Sequence, residues 1–500
     1  MSWVAPCVTV AVPLWLGAGI LRRLGIRPVD DRWAFGGWAY LTGALAIGGY
    51  MAAWLLLRLP LVPAALLPPL VTAVVLQIVG GRRAAPPDTY AIRGTTGERV
   101  AFGVVVGTVV IVSLLTILSG SSRVIVGGDE AHIWSLKAKM LYPHGLGATF
   151  DRLAAELRRP PDFWRPFDAW LEAAKAALPE PARAVLPNTE GPRGYHLDYP
   201  ILNPLLQVWS FTCAGELQHW ENRLPVQGCG LALLLALAGA LRRVCRPGVA
   251  ALLLVVFFAL FETRSTMHSA YADGLVAGGL LVVCDALLRY RATERAGWWA
   301  LVVVGASVMV WSKNEGLAYG SALGIAWTCD RTRLPWRRAV WLALPLGIIG
   351  LTWLSNTHYG FGNDLATLPA GGGLERLPEI LSYYWDHVVA GPLWADRMLR
   401  LQNGYLYAIF LALLVLCTKA ALHRSLRFTT VLVLTVLAVQ IAVYVATPHS
   451  LIWHMTTSVP RFTWQLVPVI VLWLGIFAGQ HPLTRVRCEA PPHAPPSTPR

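Results

Sequence analysis

Long apolar stretches recur from one end of the chain to the other, parted by short polar connections. They predict spans near 3–21, 33–57, 61–80, 100–119, 224–241, 249–262, 273–288, 298–311, 316–328, 339–355, 403–420, 428–446 and 465–479. A helix crosses a bilayer with about 20 apolar residues. Barrel strands would instead show short alternating segments, which are not seen here. In lipid each span must satisfy its own backbone hydrogen bonds, so the spans are expected to be helices. The fold class is therefore all-α: a polytopic membrane protein of about 13 transmembrane helices.

One interruption is long. Residues 120–223 form a large first outer loop. Apolar residues recur there every three or four positions, in 130–142 and again through Phe150, Leu153, Leu157, Phe167, Trp170 and Leu171. That spacing predicts amphipathic juxtamembrane helices lying on the membrane surface. A Pro-rich stretch, 179–194, breaks the second helix. Residues 200–216 are apolar but contain Pro204, and read as a re-entrant or interfacial helix. The chain thus divides into N-terminal spans (1–119), the outer loop (120–223), a helical core (224–480) with a second outer loop at 356–402, and a Pro-rich tail (481–500). The tail is expected to be disordered and cytoplasmic.

Composition agrees with this division. The 500 residues are 55% hydrophobic and 14% charged, where soluble domains carry about 25% charge. The net charge of +14 does not point to nucleic acid, because the basic residues form no stripe with interleaved aromatics. They cluster in alternate short connections, as at Arg22–Arg23, Arg242–Arg243 and Arg337–Arg338. That asymmetry marks the cytoplasmic side. It sets the N-terminus and the 120–223 loop outside and the C-terminus inside, in the cell (inner) membrane. The N-terminus lacks a basic region and a cleavage site, so the first span is expected to direct insertion itself. The eight cysteines show no metal or redox spacing, and no disulfide or zinc site is expected.

With this topology, polar residues collect at the outer span ends. They are Asp129, Glu130, His132, Lys137 and Lys139 in GGDEAHIWSLKAKM; Asp198; Arg223; Glu262 and Arg264; His268 and Asp273; Lys313, Asn314 and Glu315; and His454 and Arg461. Ionisable residues at a membrane boundary are costly, so they pair or serve a function. Local roles account for some of them. Asp129 suits a helix N-cap and Glu130 a first helical turn. Asp198 before Tyr-Pro suits a turn, and Asp273 suits a cap. Lys313 and Glu315 suit a mutual pair. His132 and Lys137 suit solvent or lipid headgroups. His454 and Arg461 stand seven apart, which is two helical turns, and share a face if that stretch is helical. Asp129 and His132 are spaced for joint ligation, but two ligands do not make a metal site. No cofactor is predicted, and a divalent metal is possible but not supported.

Several segments, in order, resemble the GT-C superfamily of integral-membrane glycosyltransferases, in the bacterial branch related to protein O-mannosyltransferases and envelope glycan transferases. They are GDEAHIWSLKAK, DYPILNPLLQ, NRLPVQGCGLALLLALAGALRR, YADGLVAGGLLVV, WSKNEGL and TPHSLIWHMTTSVPRFTWQLVP, and they cover roughly residues 100–480. The resemblance implies transfer of a sugar from a polyprenyl-phosphate donor to an envelope glycan, lipid or protein acceptor on the non-cytoplasmic face. It implies Asp129 as the catalytic base, with Glu130 beside it. A carboxylate takes the proton of the attacking hydroxyl, and cations offset the charge of the departing lipid phosphate. Asp198, Lys313, Glu315, His454 and Arg461 are the candidate substrate-binding residues, with Arg461 foremost for the phosphate. The partners are then the donor, the acceptor and membrane lipids. Competing readings are a transporter or lipid flippase, against which no internal repeat is found, and an O-antigen ligase or polymerase, whose large loop would come late in the chain.

Overall fold

A computed structural model of the chain describes residues 4–79, 92, 94–122, 130–157, 196, 198–217, 221–330, 334–361, 373–389, 403–447 and 450–480. Helices and turns make up the described residues, and no strand is found among them.

The first two helices, α1 (Val4–Arg23) and α2 (Arg32–Leu56), form a hairpin whose closeness comes from missing side chains. A Cβ on Gly43 would lie 1.7 Å from the Pro13 carbonyl oxygen, and one on Gly17 would lie 1.7 Å from that of Ala39. Between lipid-embedded helices small residues permit such backbone approach, because packing rather than water exclusion drives the contact. Asp31 starts α2 as an N-cap, accepting from the backbone N–H groups of Trp33 and Ala34. Next come α3 (Leu67–Val79), α4 (Thr96–Ser121) and α5 (Leu136–Leu157). Thr95 and Glu98 close a capping box at the start of α4, and a π-helical turn, Glu130–Ser135, leads into α5.

Of the two readings of 200–216, re-entrant or interfacial, helix α6 (Leu202–Ala214) excludes the interfacial one: every residue from Leu202 to Thr212 is buried, so it is a helix inside the bundle. Pro204 stands in its first turn, where a missing N–H costs little. Helix α7 (Leu224–Val244) packs on α2 and α10, while α8 (Pro247–Ala259) and α9 (Phe261–His268) are bent by 66° at Leu260. Helices α10 (Asp273–Thr293) and α11 (Ala296–Val310) form a second tight hairpin, with Gly279 and Gly305 facing each other's carbonyls. They are followed by α12 (Asn314–Asp330), α13 (Trp336–Tyr359), α14 (Leu377–Tyr384), α15 (Gly404–Leu416), α16 (Arg427–Ala446) and α17 (Leu451–Gln480). The last helix is twice the length of the predicted 465–479 span. It carries Pro460 and Pro468 internally and takes in WHMTTSVPR as helix.

Seven of the described helices are long and apolar enough to cross a membrane, or eight if α8 and α9 are one bent span. This is a membrane-embedded helical protein. A helix lies on each of the other stretches predicted to span, but those helices are shorter or carry charge. Helix α10 is the clearest case, with Asp285, Arg289 and Arg291 in its last turns.

The basic connections converge on one end of the bundle. Arg289 Nη2 binds Asp31 Oδ2 at 2.7 Å and its Nε binds Asp285 Oδ2 at 3.1 Å, while Arg243 holds the other Asp285 oxygen at 2.8 Å. The Arg289 guanidinium lies 4.6 Å from the Trp38 ring centre and 5.1 Å from that of Trp298. Around this clamp, Arg295 pairs with Asp30, Arg246 with Glu98 and Arg291 with Asp330. One buried guanidinium thereby joins α2, α7, α10 and α11. Removing one partner of a buried ion pair costs about 3–5 kcal/mol. Arg289→Leu is therefore expected to lower the thermal-unfolding midpoint of the detergent-solubilised protein sharply, whereas Arg246→Gln, at the more exposed pair, should shift it little. Equal shifts in the two variants would remove the clamp from its central place.

Candidate functional site

The opposite end gathers residues from distant parts of the chain. Lys313 precedes α12 and is buried. Its Nζ lies 3.3 Å from Asp273 Oδ1 and 2.9 Å from Glu315 Oε1, and 5.0 Å from the Phe462 ring centre. Asp273 does not cap α10. No side-chain cap bond is formed there, and its Oδ1 accepts instead from Lys313 and from the amide of Gln465 on α17. Arg461, one turn earlier on α17, lies 5.0 Å above the Tyr271 ring and interacts electrostatically with both Asp273 and Lys313. Among the described residues no donor reaches Asp273 Oδ2, Glu315 Oε2, Asn314 Oδ1 or Gln465 Oε1, although all four are buried. Buried acceptors are almost always paired, so the centre has spare capacity for a polar ligand.

Asp198 joins this centre directly, because its Oδ2 accepts from the Asn314 side chain. Its backbone carbonyl accepts from Asn356 on α13 at 2.9 Å. Of the sequence candidates, Asp198, Lys313, Glu315 and Arg461 therefore meet in one cluster. His454 stands apart by one layer. Its Nδ1 is 2.7 Å from Thr447 Oγ1, and its ring lies 6.5 Å from that of Phe462, which borders the cluster. Asp129 lies outside the described residues, and Glu130 is described by its backbone alone, as the first residue of the π-helical turn.

The position of that turn is well determined by its neighbours. Ile133 and Trp134 bury against Ala272, with Tyr199 and Tyr271 packed alongside. The next residue, Ser135, donates to Gln207 Oε1 at 2.9 Å, and Asn222 donates to the same oxygen at 2.6 Å. Gln207 donates to Asn203 at 2.9 Å, and Asn203 to the Ala270 carbonyl at 2.7 Å. This line of amides on α6 explains why so polar a helix can be buried: each group satisfies the next. It also fastens the segment that follows the acidic pair to Ala270–Ala272, immediately before Asp273. π-Helical turns often mark functional sites.

Two residues were undervalued by the sequence. Asp273 suited a cap, and Lys137 suited solvent. Yet Lys137 is buried, donates to the His196 carbonyl, and lies 6.0 Å from the Tyr199 ring. Burial, only partly offset by the nearby Asp198 carboxylate, pulls its pKa down to about 7. No sequence signal separates it from an exposed lysine, except the aromatic density of IWSLKAKMLY.

An apolar groove of about 720 Å³ begins beside the cluster. Tyr199 and Pro200, next to Asp198, line one end with Asn356. From there it runs between α2 and α13, past Gly49, Leu45 and Ile348, to Thr42, Leu344 and Ile20. Leu344 and Asn356 are twelve residues apart on α13, about 18 Å of helix.

The chain matches no family model, no curated protein and no solved structure.

The folded pKa of Lys137 lies below the unfolded one. Above about pH 7, and up to the ordinary lysine value of 10.5, the unfolded chain therefore binds more protons than the folded one, and stability rises with pH across that window. Between pH 7 and 9 the wild-type protein should gain thermal stability relative to Lys137→Met, by up to about 1.4 kcal/mol per pH unit. Parallel pH profiles for the two proteins would show that Lys137 is not a buried titrating group.

Proposed function

We propose that this protein is a membrane glycosyltransferase of GT-C type, which moves a sugar from a polyprenyl-phosphate donor to an envelope glycan, lipid or protein on the non-cytoplasmic face. One juxtaposition carries the reading. Asp198 belongs to the charged cluster, while Tyr199 and Pro200, the next two residues, line the apolar groove. A ligand seated across this junction has a long apolar part and a polar, anionic head, which is the character of a lipid-phosphate sugar. The groove volume lies within the range of small-ligand sites, about 300–1,000 Å³. The cluster stands at the end opposite the arginine clamp. By the charge asymmetry of the loops that end faces away from the cytoplasm and its nucleotide sugars, and a lipid-linked donor follows.

In the proposed reaction an acceptor hydroxyl attacks the anomeric carbon, the bond from that carbon to the phosphate oxygen breaks, and the hydroxyl proton passes to a carboxylate. Asp273 and Glu315 are already held by the Lys313 ammonium, which makes them poor bases. Asp129, in the acidic pair where the π-helical turn begins, is the base in this scheme, with Glu130 beside it. The departing lipid phosphate gains negative charge. Arg461 offsets it, and Lys313, itself held by Asp273 and Glu315, stays beside it as the second cation of the cluster. Asp198 and Asn314 orient the sugar, and His454 supports the Phe462 side of the cluster.

A lipid flippase draws on the same groove, which runs over much of the length of α13. The two readings differ in whether donor is consumed. In liposomes containing labelled polyprenyl-phosphate sugar and extracted acceptor, a transferase releases the sugar to acceptor; a flippase only redistributes the lipid. Asp129→Asn and Arg461→Gln are each expected to reduce transfer about 100-fold or more while the protein extracts at wild-type yield. In cells, an envelope-glycan profile left unchanged by Asp129→Asn but altered by deletion of the gene would sink the base assignment. Lipid redistribution without sugar release would sink the transferase.

A further inference from the structure

We propose a second lipid site at the arginine-rich end of the bundle, selective for an anionic phospholipid. Its acyl chain would lie between α11, α12 and α13, with its phosphate among the arginines beyond the Trp299 and Phe428 end of that space. The site is independent of the sugar-transfer reading.

Helix α13 stands off from the body. Only 6% of its apolar window is buried, and a cavity lies on each side of it. Leu344, Ile348 and Leu351 face the groove described above. Leu342, Leu346 and Ile349 face a separate crevice of about 520 Å³, closed on its other sides by α11, α12 and Phe428. The crevice is almost wholly apolar. Its α12 wall is opened by small residues, Gly320, Ser321 and Gly324, and a Cβ on Gly324 would meet nothing within 4 Å. Protein interiors do not keep voids of this size, and a lining of this kind gives water few partners. Hydrocarbon is the occupant the walls accept.

The charge at one end of the crevice specifies the head. Trp299 and Trp327 meet edge to face at 5.2 Å there. The Trp299 indole N–H donates to the Arg338 carbonyl at 2.8 Å. Arg291 lies 5.4 Å over the Phe428 ring, is ion-paired with Asp330, and touches the Arg424 carbonyl. Arg427 donates to the Asp330 carbonyl at 3.0 Å. Arg338 reaches Tyr290 and Arg337 lies over Trp336. Five arginines thus stand against two acids in the same segments, Asp330 and an exposed Glu294. At the other end, near Met309 and Leu317, the neighbouring Lys313 is already held by Asp273 and Glu315. An amphiphile in this crevice therefore points its head to the arginines, opposite in sense to one in the first groove. Basic pockets between membrane helices are suited to anionic headgroups, at about one kcal/mol per basic residue near the surface.

The test uses the full-length protein in neutral detergent, stripped of lipid and titrated with phosphatidylglycerol or chain-matched phosphatidylcholine, with bound lipid counted by native mass spectrometry. The wild type is expected to prefer phosphatidylglycerol by about tenfold or more. Gly324→Leu fills the chain seat and should reduce retention of both lipids several-fold. The pair Arg337→Gln and Arg424→Gln, both at exposed positions, should abolish the preference while leaving phosphatidylcholine binding unchanged. Equal binding of the two lipids by the wild type would mean only a general lipid annulus and would overturn the proposal. So would unchanged phosphatidylglycerol binding in both variants, or its displacement by millimolar glycerol phosphate, which lacks a chain.

Discussion

The Arg289 guanidinium, held between two carboxylates and two indoles, is the contact on which the rest of the bundle depends. A charge taken out of water is tolerated only when its partners are fixed, and here they come from α2, α10 and α11, with α7 tied in through Arg243 on Asp285. Asp31 serves twice: one oxygen caps α2 while the other holds Arg289. Asp285 is shared between Arg289 and Arg243. Sliding any one of these helices by a turn would strand a buried charge. Apolar faces alone are poor at setting register in a membrane, because lipid is as good a neighbour as leucine. The clamp supplies the specificity that they lack, and the glycine contacts at Gly43 and Gly305 let the helices come close enough to form it.

At the far end the same logic is left incomplete. Lys313, Asp273 and Glu315 form a buried triad, yet several of the acceptors around it have no donor among the described residues. Unmet buried polar groups are costly. Atoms without a partner among the described residues occur at the arginine end as well, at Arg243 Nε and Arg246 Nε. What sets the far cluster apart is that its acceptors surround one lysine and adjoin, through Asp198 and Tyr199, an apolar groove. The amide line through Gln207 and Asn203 shows that the fold does satisfy polar groups beside the cluster.

Much of this was legible in the chain, and the limits are physical. Apolar periodicity gave the helices, and the alternation of arginine-rich connections predicted which residues would share an end. Arg243, Arg246, Arg289, Arg295 and Arg338 do stand together. For α6 the choice between a re-entrant and an interfacial helix stayed open because hydropathy measures the side chain and not its partners: Asn203 and Gln207 are buried and bonded to each other. The last span begins at Leu451 rather than near 465, and Pro460 lies inside it, since in a lipid-embedded helix neighbours can re-satisfy the freed backbone groups. Lys137 and Asp273 show the remaining limit. Whether a charge is exposed, capping or buried in a network is decided by residues far off in sequence, and no local pattern carries it.

The two ends are not independent, because the same rods run between them. Helix α10 carries Asp273 in its first turn and Arg289 in its last turns, sixteen residues or about 24 Å away. Helix α12 carries Glu315 at one end and Asp330 at the other. A rod pinned by the clamp holds its far end with little freedom, so the spacing of Asp273 from Lys313 is set by a salt-bridge network that touches neither. Helix α17 brings Arg461 and Gln465 against the same cluster and is fixed further along, where Gly479 abuts the Val244 carbonyl. Helix α13 is the exception. It contributes Asn356 to Asp198 but is exposed for most of its length. It is therefore the one wall of the groove whose position bilayer lipid can shift, and it is also the wall that the proposed anionic phospholipid would hold from behind.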